Sequence, residues 1–237
     1  MLRYSIIVPA RNEEAFLPGC LDSIRLAGER FIGDYEVIVV VNRSTDRTEE
    51  IASSAGAVIV HNDSKNLSGI RNTGAKAATG EVIVTIDADS RMTPGILNEV
   101  DRILKAGKCI GGGALILPER WSVGICLTAI FLIAYVALRR QFGGMFWCYR
   151  KDFEAIGGFD EGIITAEDLD FSDRLRRHAR SIGKRVRMFT RNPIYTSMRK
   201  FDRFGDWHVF LNPRKVIMML RGESRKDADE YFYDFKR

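Results

Sequence analysis

The stretch from Glu81 to Ser90, E-V-I-V-T-I-D-A-D-S, is a short apolar run that stops abruptly at two carboxylates. Val82, Ile83, Val84 and Ile86 are β-branched and nearly continuous, the pattern of a strand buried on both faces in a parallel sheet covered by helices. Ligands of open α/β sheets bind beyond the carboxyl ends of the strands, so Asp87 and Asp89 stand where a ligand would. In an extended chain the two share a face. Paired hard oxygen donors suit Mg2+ or Mn2+, which take one or two carboxylates together with substrate phosphates. D-A-D-S equally suits a turn and a helix cap, and alone the motif leaves both readings open.

Upstream of this strand the chain alternates strands and helices. Tyr4 to Val8 reads as a strand ended by Pro9, and a helix opened by Asn12, Glu13 and Glu14 carries Phe16, Leu17, Cys20, Leu21 and Ile24 at helical spacing. Tyr35 to Val41 is the next strand, followed by a capped helix closed by Gly56, a short strand from Ala57 to Val60 and a helix from Leu67 to Ala77. Downstream, Thr93 reads as an N-cap with Pro94 at the first helical position, and Leu97, Val100, Ile103 and Leu104 form the buried stripe. This alternation predicts a three-layer α/β/α fold around a mostly parallel sheet.

The later chain is less regular. Trp121 to Leu138 passes without a charge before Arg139 and Arg140, at the lower edge of a membrane span. A buried or substrate-lining helix is preferred over a helix lying in a membrane interface, and both over a span, which would set the polar motifs on either side of it across a bilayer. A glycine pair at Gly143 and Gly144 then leads into an aromatic-rich strand and a short helix ended by Gly157 and Gly158. Ala166 to Ile182 reads as a helix, Val186 to Phe189 as a final strand, and Asn192-Pro193 as a turn. The domain expected is single, over 1–220, with a nucleotide-binding half (1–105), an acceptor-binding half (106–220) and a charged tail at 221–237.

Composition narrows the function classes. With 237 residues, 46% of them hydrophobic and 28% charged, the chain is long enough for a real core and is not of disordered type. A net charge of +5 favours an anionic partner. Cys20, Cys109, Cys126 and Cys148 form no C-x-x-C pair, which argues against a zinc site or a redox dithiol and for buried thiols in a reducing compartment. M-L-R-Y-S-I-I-V-P lacks the apolar core of a signal peptide, so a cytoplasmic location is expected.

Five pieces now occur in order: S-I-I-V-P-A-R-N-E-E-A-F-L, N-R-S-T-D-R-T, G-I-R-N-T-G-A-K-A-A-T-G-E, D-A-D, and G-G-F-D-E followed by E-D-L-D-F-S-D-R-L. Together, from about residue 4 to about 205, they resemble the inverting family 2 glycosyltransferases of GT-A fold. The resemblance implies that Pro9, Glu13, Asn42 and Asp46 line a nucleoside pocket and that Arg71 contacts the nucleotide. It implies Asp87 at the ribose or metal, Asp89 at the metal on the diphosphate, and Asp168 as the base, with Glu167 supporting it. A late histidine completes the metal shell in some enzymes of this fold, so His208 fits that role or a packing or surface one beside Trp207, and Gly143 and Gly144 fit either a backbone approach to the donor sugar or a simple turn. Val41 stands where the family often has an acid, so uridine, guanosine and thymidine donors remain open. The family's processive Q-x-x-R-W signature is missing, which implies transfer of a single sugar.

The residue types suit that chemistry independently. A departing diphosphate needs cationic stabilisation, and an acceptor hydroxyl needs a base on the opposite face of the sugar. The expected partners are therefore a UDP-, GDP- or dTDP-linked donor, a divalent cation and a hydroxyl acceptor, lipid-linked or membrane-proximal at the inner membrane face, with no nucleic acid. Three alternatives stand beside these. Thr165 to Asp168 fits a capping box; Arg199, Lys200 and Arg203 fit either a clamp on the diphosphate or a solvated basic face; and the whole chain fits a catalytically inactive nucleotide-binding scaffold or a nucleotidyltransferase.

Overall fold

The computed structural model describes residues 3–212 apart from 140 and 164, so the expected tail at 221–237 lies outside the described residues. In the first half, β1 (Tyr4–Ala10), α1 (Leu17–Glu29), β2 (Tyr35–Val41), α2 (Thr48–Ser54), β3 (Val58–His61), α3 (Leu67–Ala77) and β4 (Val82–Ile86) alternate as the periodicity predicts. β1 pairs in parallel with both β2 and β4, and β2 with β3. β1 and β4 are buried at every residue, which is why their sequences are continuous apolar runs. Successive residues feed two cores. Ile6, Val8, Val82 and Val84 pack with Leu17, Cys20 and Ile24 on one face, while Ile7 and Ile83 pack with Ile70 and Ala75 on the other. The three-layer arrangement is thus the observed one.

The second half departs from a parallel design. It comprises β5 (Ser90–Met92), α4 (Ile96–Lys105), β6 (Cys109–Pro118), α5 (Val123–Arg139), β7 (Met145–Tyr149), α6 (Arg150–Ala155), α7 (Glu167–Ser181), β8 (Arg185–Thr196), α8 (Arg199–Phe204) and α9 (His208–Leu211). The sheet order is β3-β2-β1-β4-β7-β6-β8-β5. β7 inserts antiparallel between β4 and β6, and β5 is antiparallel to β8, so the sheet is mixed. The turn expected at Asn192-Pro193 is a bulge inside one strand: β8 pairs Phe189 with Ala114 and resumes with Ile194 opposite Ile116.

Two helix starts differ from expectation. Residues 12–16 lie outside α1, with Asn12 in a bend at φ 51° and residues 14–16 in a turn. Thr93 closes a turn to Ile96, and α4 begins after Gly95, not at Pro94. Gly56, at φ 74°, lies two residues beyond the end of α2, where left-handed backbone ends a helix cheaply. All four cysteines are free thiols.

α5 is the main correction. It is helical, but only Gly124, Ile125 and Thr128 are buried, while Val123, Ile130 and Leu138 are 68%, 64% and 85% exposed. Among the described residues no helix is long and apolar enough to cross a membrane.

Candidate active site

The loops after β1 and β2 are stitched to each other. Asn12 Oδ1 accepts from the Thr45 amide, the Glu13 amide donates to Thr48 Oγ1, and the Glu14 amide donates to Asp46 Oδ2. Asp46 Oδ1 accepts from both the amide and the hydroxyl of Thr48. Burial works to raise the Asp46 pKa, but these hydrogen bonds outweigh it and hold the carboxyl below its usual value. Asp46 thus fastens the two loops to each other, and it is not among the residues that line the cavity described next.

Beyond the ends of β1 and β4 lies a cavity of about 420 Å3, whose wall includes Pro9, Glu13, Asn42, Arg71, Asp87 and Asp89. Gly144, Glu167 and Asp168 close it from the other half of the sheet. Asp87 to Ser90 makes a turn, with the Ser90 amide donating to the Asp87 carbonyl, so the two carboxylates meet the cavity from a turn and not from extended chain. Asn42 is held by donation from Nδ2 to the Asn62 and Ser64 carbonyls.

Two guanidinium groups organise the charge. Arg71 is buried, with 3% of its side chain exposed, and pairs with Asp87 and Glu167, each at 2.9 Å. Its guanidinium carbon lies 5.8 Å and 5.2 Å from the ring centres of Phe146 and Phe159. Burial disfavours its charge, yet Asp87 and Glu167 outweigh that and raise its pKa. Arg199 pairs with Glu13 at 2.8 Å and with Asp89 at 2.9 Å, and Asp89 also accepts from Ser197 Oγ at 3.1 Å. Arg199 is thus folded into the site, and Lys200 joins it on the cavity wall.

α7 is positioned by the glycine-rich segment before it. Phe159 stacks on Phe171 at 4.2 Å, and Asn72 binds the backbone of Phe159 at both its amide and its carbonyl. Gly158, at φ 68°, leaves no room for a side chain, since a Cβ there would meet Asn72 Oδ1 at 2.6 Å. The motif residues Arg71 and Asn72 therefore lock β4 and α7 together from one helix.

Asp168 belongs to neither guanidinium pair. Its Oδ1 accepts from the Leu169 amide at 2.8 Å. Burial, then the adjacent Glu167 charge, push its pKa up to about 7, with Arg71 opposing. The capping box is not formed: Ala166, at φ 60°, is the N-cap with no side-chain cap bond, and the Thr165 hydroxyl is buried without a partner among the described residues. Gly143 lies so near that a Cβ on it would meet Asp168 Oδ2 at 2.6 Å.

His208 is not brought to the cavity. It lies on α9 with its ring 5.1 Å from that of Phe204, and among the described residues no group of three or more His, Cys, Asp or Glu side chains is arranged to hold a metal ion. Sequence reasoning missed Arg11, Thr196, Ser197 and Met198, which also line the cavity. Arg11 lies inside the first quoted motif, directly after β1, while Thr196, Ser197 and Met198 had only their position at the far end of β8 to mark them, hidden by the bulge.

The family model described as "Glycosyl transferase family 2" matches residues 5–157. The chain is 33% identical over 189 residues to the "PGL/p-HBAD biosynthesis glycosyltransferase" of Mycobacterium bovis (strain BCG / Pasteur 1173P2), covering 72% of this chain and 68% of that protein. It is 35% identical over 101 residues to "Uncharacterized glycosyltransferase EpsJ" of Bacillus subtilis, covering 40% of this chain and 28% of that longer protein. In structure it is similar to the mannosyltransferase PcManGT of Pyrobaculum calidifontis, solved with GDP-Man and Mn2+, at TM-score 0.69 and 20% identity, covering 92% and 63% of the two chains. Glucosyl-3-phosphoglycerate synthase of Mycobacterium tuberculosis, solved with Mn2+, UDP-Glc and phosphoglyceric acid, gives 0.60 at 20% identity, covering 94% and 79%. At these identities the structural likeness is one of fold.

Proposed function

The chain belongs to glycosyl transferase family 2, and we propose that it moves a single sugar from a nucleotide-diphosphate donor to a hydroxyl acceptor with inversion. The observation that carries this reading is the junction made by Arg71, which ties Asp87 at the end of β4 to Glu167 at the start of α7 and leaves Asp168 beside them in the same cavity. The acceptor oxygen bonds to the anomeric carbon as the bond from that carbon to the diphosphate breaks. The acceptor proton passes to the Asp168 carboxylate. A base with a pKa near 7 is matched to that task at neutral pH. Glu167 and Arg71 position Asp168; they do not take the proton.

The donor set fits a divalent cation. Asp89 and Asp87 present two carboxylates to a cavity that still has room for a diphosphate, and Asp87 keeps 39% of its side chain exposed. That Asp89 attracts the Arg199 guanidinium is in keeping with a cation seat. Mg2+ or Mn2+ held by Asp89 and Asp87 would supply Lewis-acid stabilisation of the leaving diphosphate. Pro9, Glu13 and Asn42 line the side of the cavity suited to the nucleoside, and Arg199 and Lys200 the side suited to phosphate.

The exposed apolar residues of α5 and the net charge of +5 support a peripheral position at the cytoplasmic face of a membrane. Co-sedimentation with anionic vesicles at low salt checks this, and its absence would remove the membrane from the account. The transfer reading is tested by thermal shift with UDP, GDP and dTDP, each with and without Mn2+. One nucleotide stabilises the chain and does so more strongly with Mn2+; no shift with any of them would contradict the reading.

A further inference from the structure

A second cavity, of about 390 Å3, opens beside the first, between α5 and the strands β6 and β8. The two are adjacent and share part of their walls: Ile116, Ala166, Asp168, Thr196, Met198 and Phe201 line both. Their linings differ in kind. The first cavity is walled by carboxylates and guanidinium groups, whereas Asp168 is the sole charged side chain in the described lining of the second. Leu132 and Val136 of α5 face Leu169 and Met188 across it. The approach to α5 is anchored through Arg120, which pairs with Asp202 on α8 and Asp206 just beyond it.

One polar atom other than the Asp168 carboxylate stands out in this apolar chamber. Thr165 lines it, is 3% exposed, and its Oγ1 has no hydrogen-bond partner among the described residues. A buried hydroxyl without a partner carries a desolvation cost that a bound polar group would relieve. It lies three residues before Asp168 in the chain, at the same end of the cavity lining.

We propose that the second cavity is the acceptor site and that it selects an amphiphile, a hydroxyl group carried on an aliphatic chain. The hydroxyl meets Asp168 and Thr165, and the chain lies along Leu132, Val136, Leu169 and Met188. This rests on Asp168 being the base of the transfer reaction. The occupant follows from the lining: a sugar acceptor would bring many hydroxyls to a mostly apolar wall where the Thr128, Tyr135 and Thr196 hydroxyls already have hydrogen-bond partners, leaving Asp168 and Thr165 to meet them, whereas an alkyl chain loses no hydrogen bonds there. Because Asp168 lines both cavities, an acceptor oxygen seated on the base from this side leaves the donor side free.

Calorimetric titration of n-hexanol, n-octanol and n-decanol into the full chain tests this without turnover. Binding should tighten by about fourfold per methylene over the length the cavity holds. Leu132→Gln, on a partly exposed helix position that tolerates a polar group, should weaken decanol at least tenfold and leave the nucleotide thermal shift unchanged. Ala129→Trp, which fills the chamber, should do the same by exclusion. Affinity independent of chain length, or decanol binding unaltered in both variants, would overturn the proposal. Loss of decanol binding as the protein is concentrated would overturn it too, by assigning the chamber to a second copy. Chain-length-dependent binding in a protein that responds to no nucleotide would overturn the transfer reading instead, and with it the acceptor role.

Discussion

On one wall of the cavity, every carboxylate named has a guanidinium partner: Arg199 spans Glu13 and Asp89, and Arg71 spans Asp87 and Glu167. On the other wall Asp168 faces an apolar chamber, outside both pairs, and its pKa is pushed up to about 7. The contrast assigns work. Paired carboxylates are fixed negative charge, suited to holding cations and the groups that carry phosphate. A carboxylate outside any ion pair and partly withdrawn from water can gain and lose a proton near neutral pH.

The largest effect expected from breaking this contrast comes from Asp168→Asn. It removes the proton acceptor and should lower transfer kcat by about 10²- to 10⁴-fold, while the nucleotide thermal shift is retained. Arg71→Met attacks the opposite wall, leaving Glu167 buried without its partner. Urea unfolding should show a loss of about 3 kcal/mol, the lower end of the range for a broken buried pair because Asp87 is partly exposed. Gly143→Ala is subtler. Its methyl group would displace the Asp168 carboxylate, and a misplaced base should reduce kcat by about tenfold with little change in stability.

The contrast should also show in stability against pH. Folded Asp168 keeps its proton up to about pH 7, against an ordinary value of 3.8 for the free side chain. In that window the native state binds more protons than the unfolded one, so this group's stabilising contribution is complete below about pH 4 and is lost as pH rises through 7. Comparing unfolding midpoints of wild type and Asp168→Asn from pH 4 to 8 isolates it, since the variant should lack that part of the decline.

The same contrast governs what the sequence revealed. Parallel strands buried on both faces need continuous β-branched runs, so β1, β2 and β4 were plain. β6 was not, because Gly111, Gly112 and Gly113 replace the apolar signal. A Cβ on Gly112 would meet the Arg187 carbonyl oxygen at 1.8 Å, so close backbone approach explains that choice and conceals the strand. The carboxylates of the site lie in short motifs and were legible as a set. Their partners were not: Arg199 reaches Glu13 across 186 residues, a relation no spacing encodes. A loop-fastening aspartate such as Asp46 and a nucleoside-binding one look alike in sequence until their hydrogen bonds are seen. The apolar run at α5 gave its helix but not its exposure, because a helix apolar all round normally signals burial.

Carbon-13 NMR titration of the Asp168 carboxyl, assigned through Asp168→Asn, tests the central claim most directly. A midpoint near pH 7 is the result predicted for an unpartnered base facing an apolar chamber. A midpoint near 4, the ordinary value for a solvated aspartate, would contradict it and return Asp168 to the role of a surface residue at the start of α7.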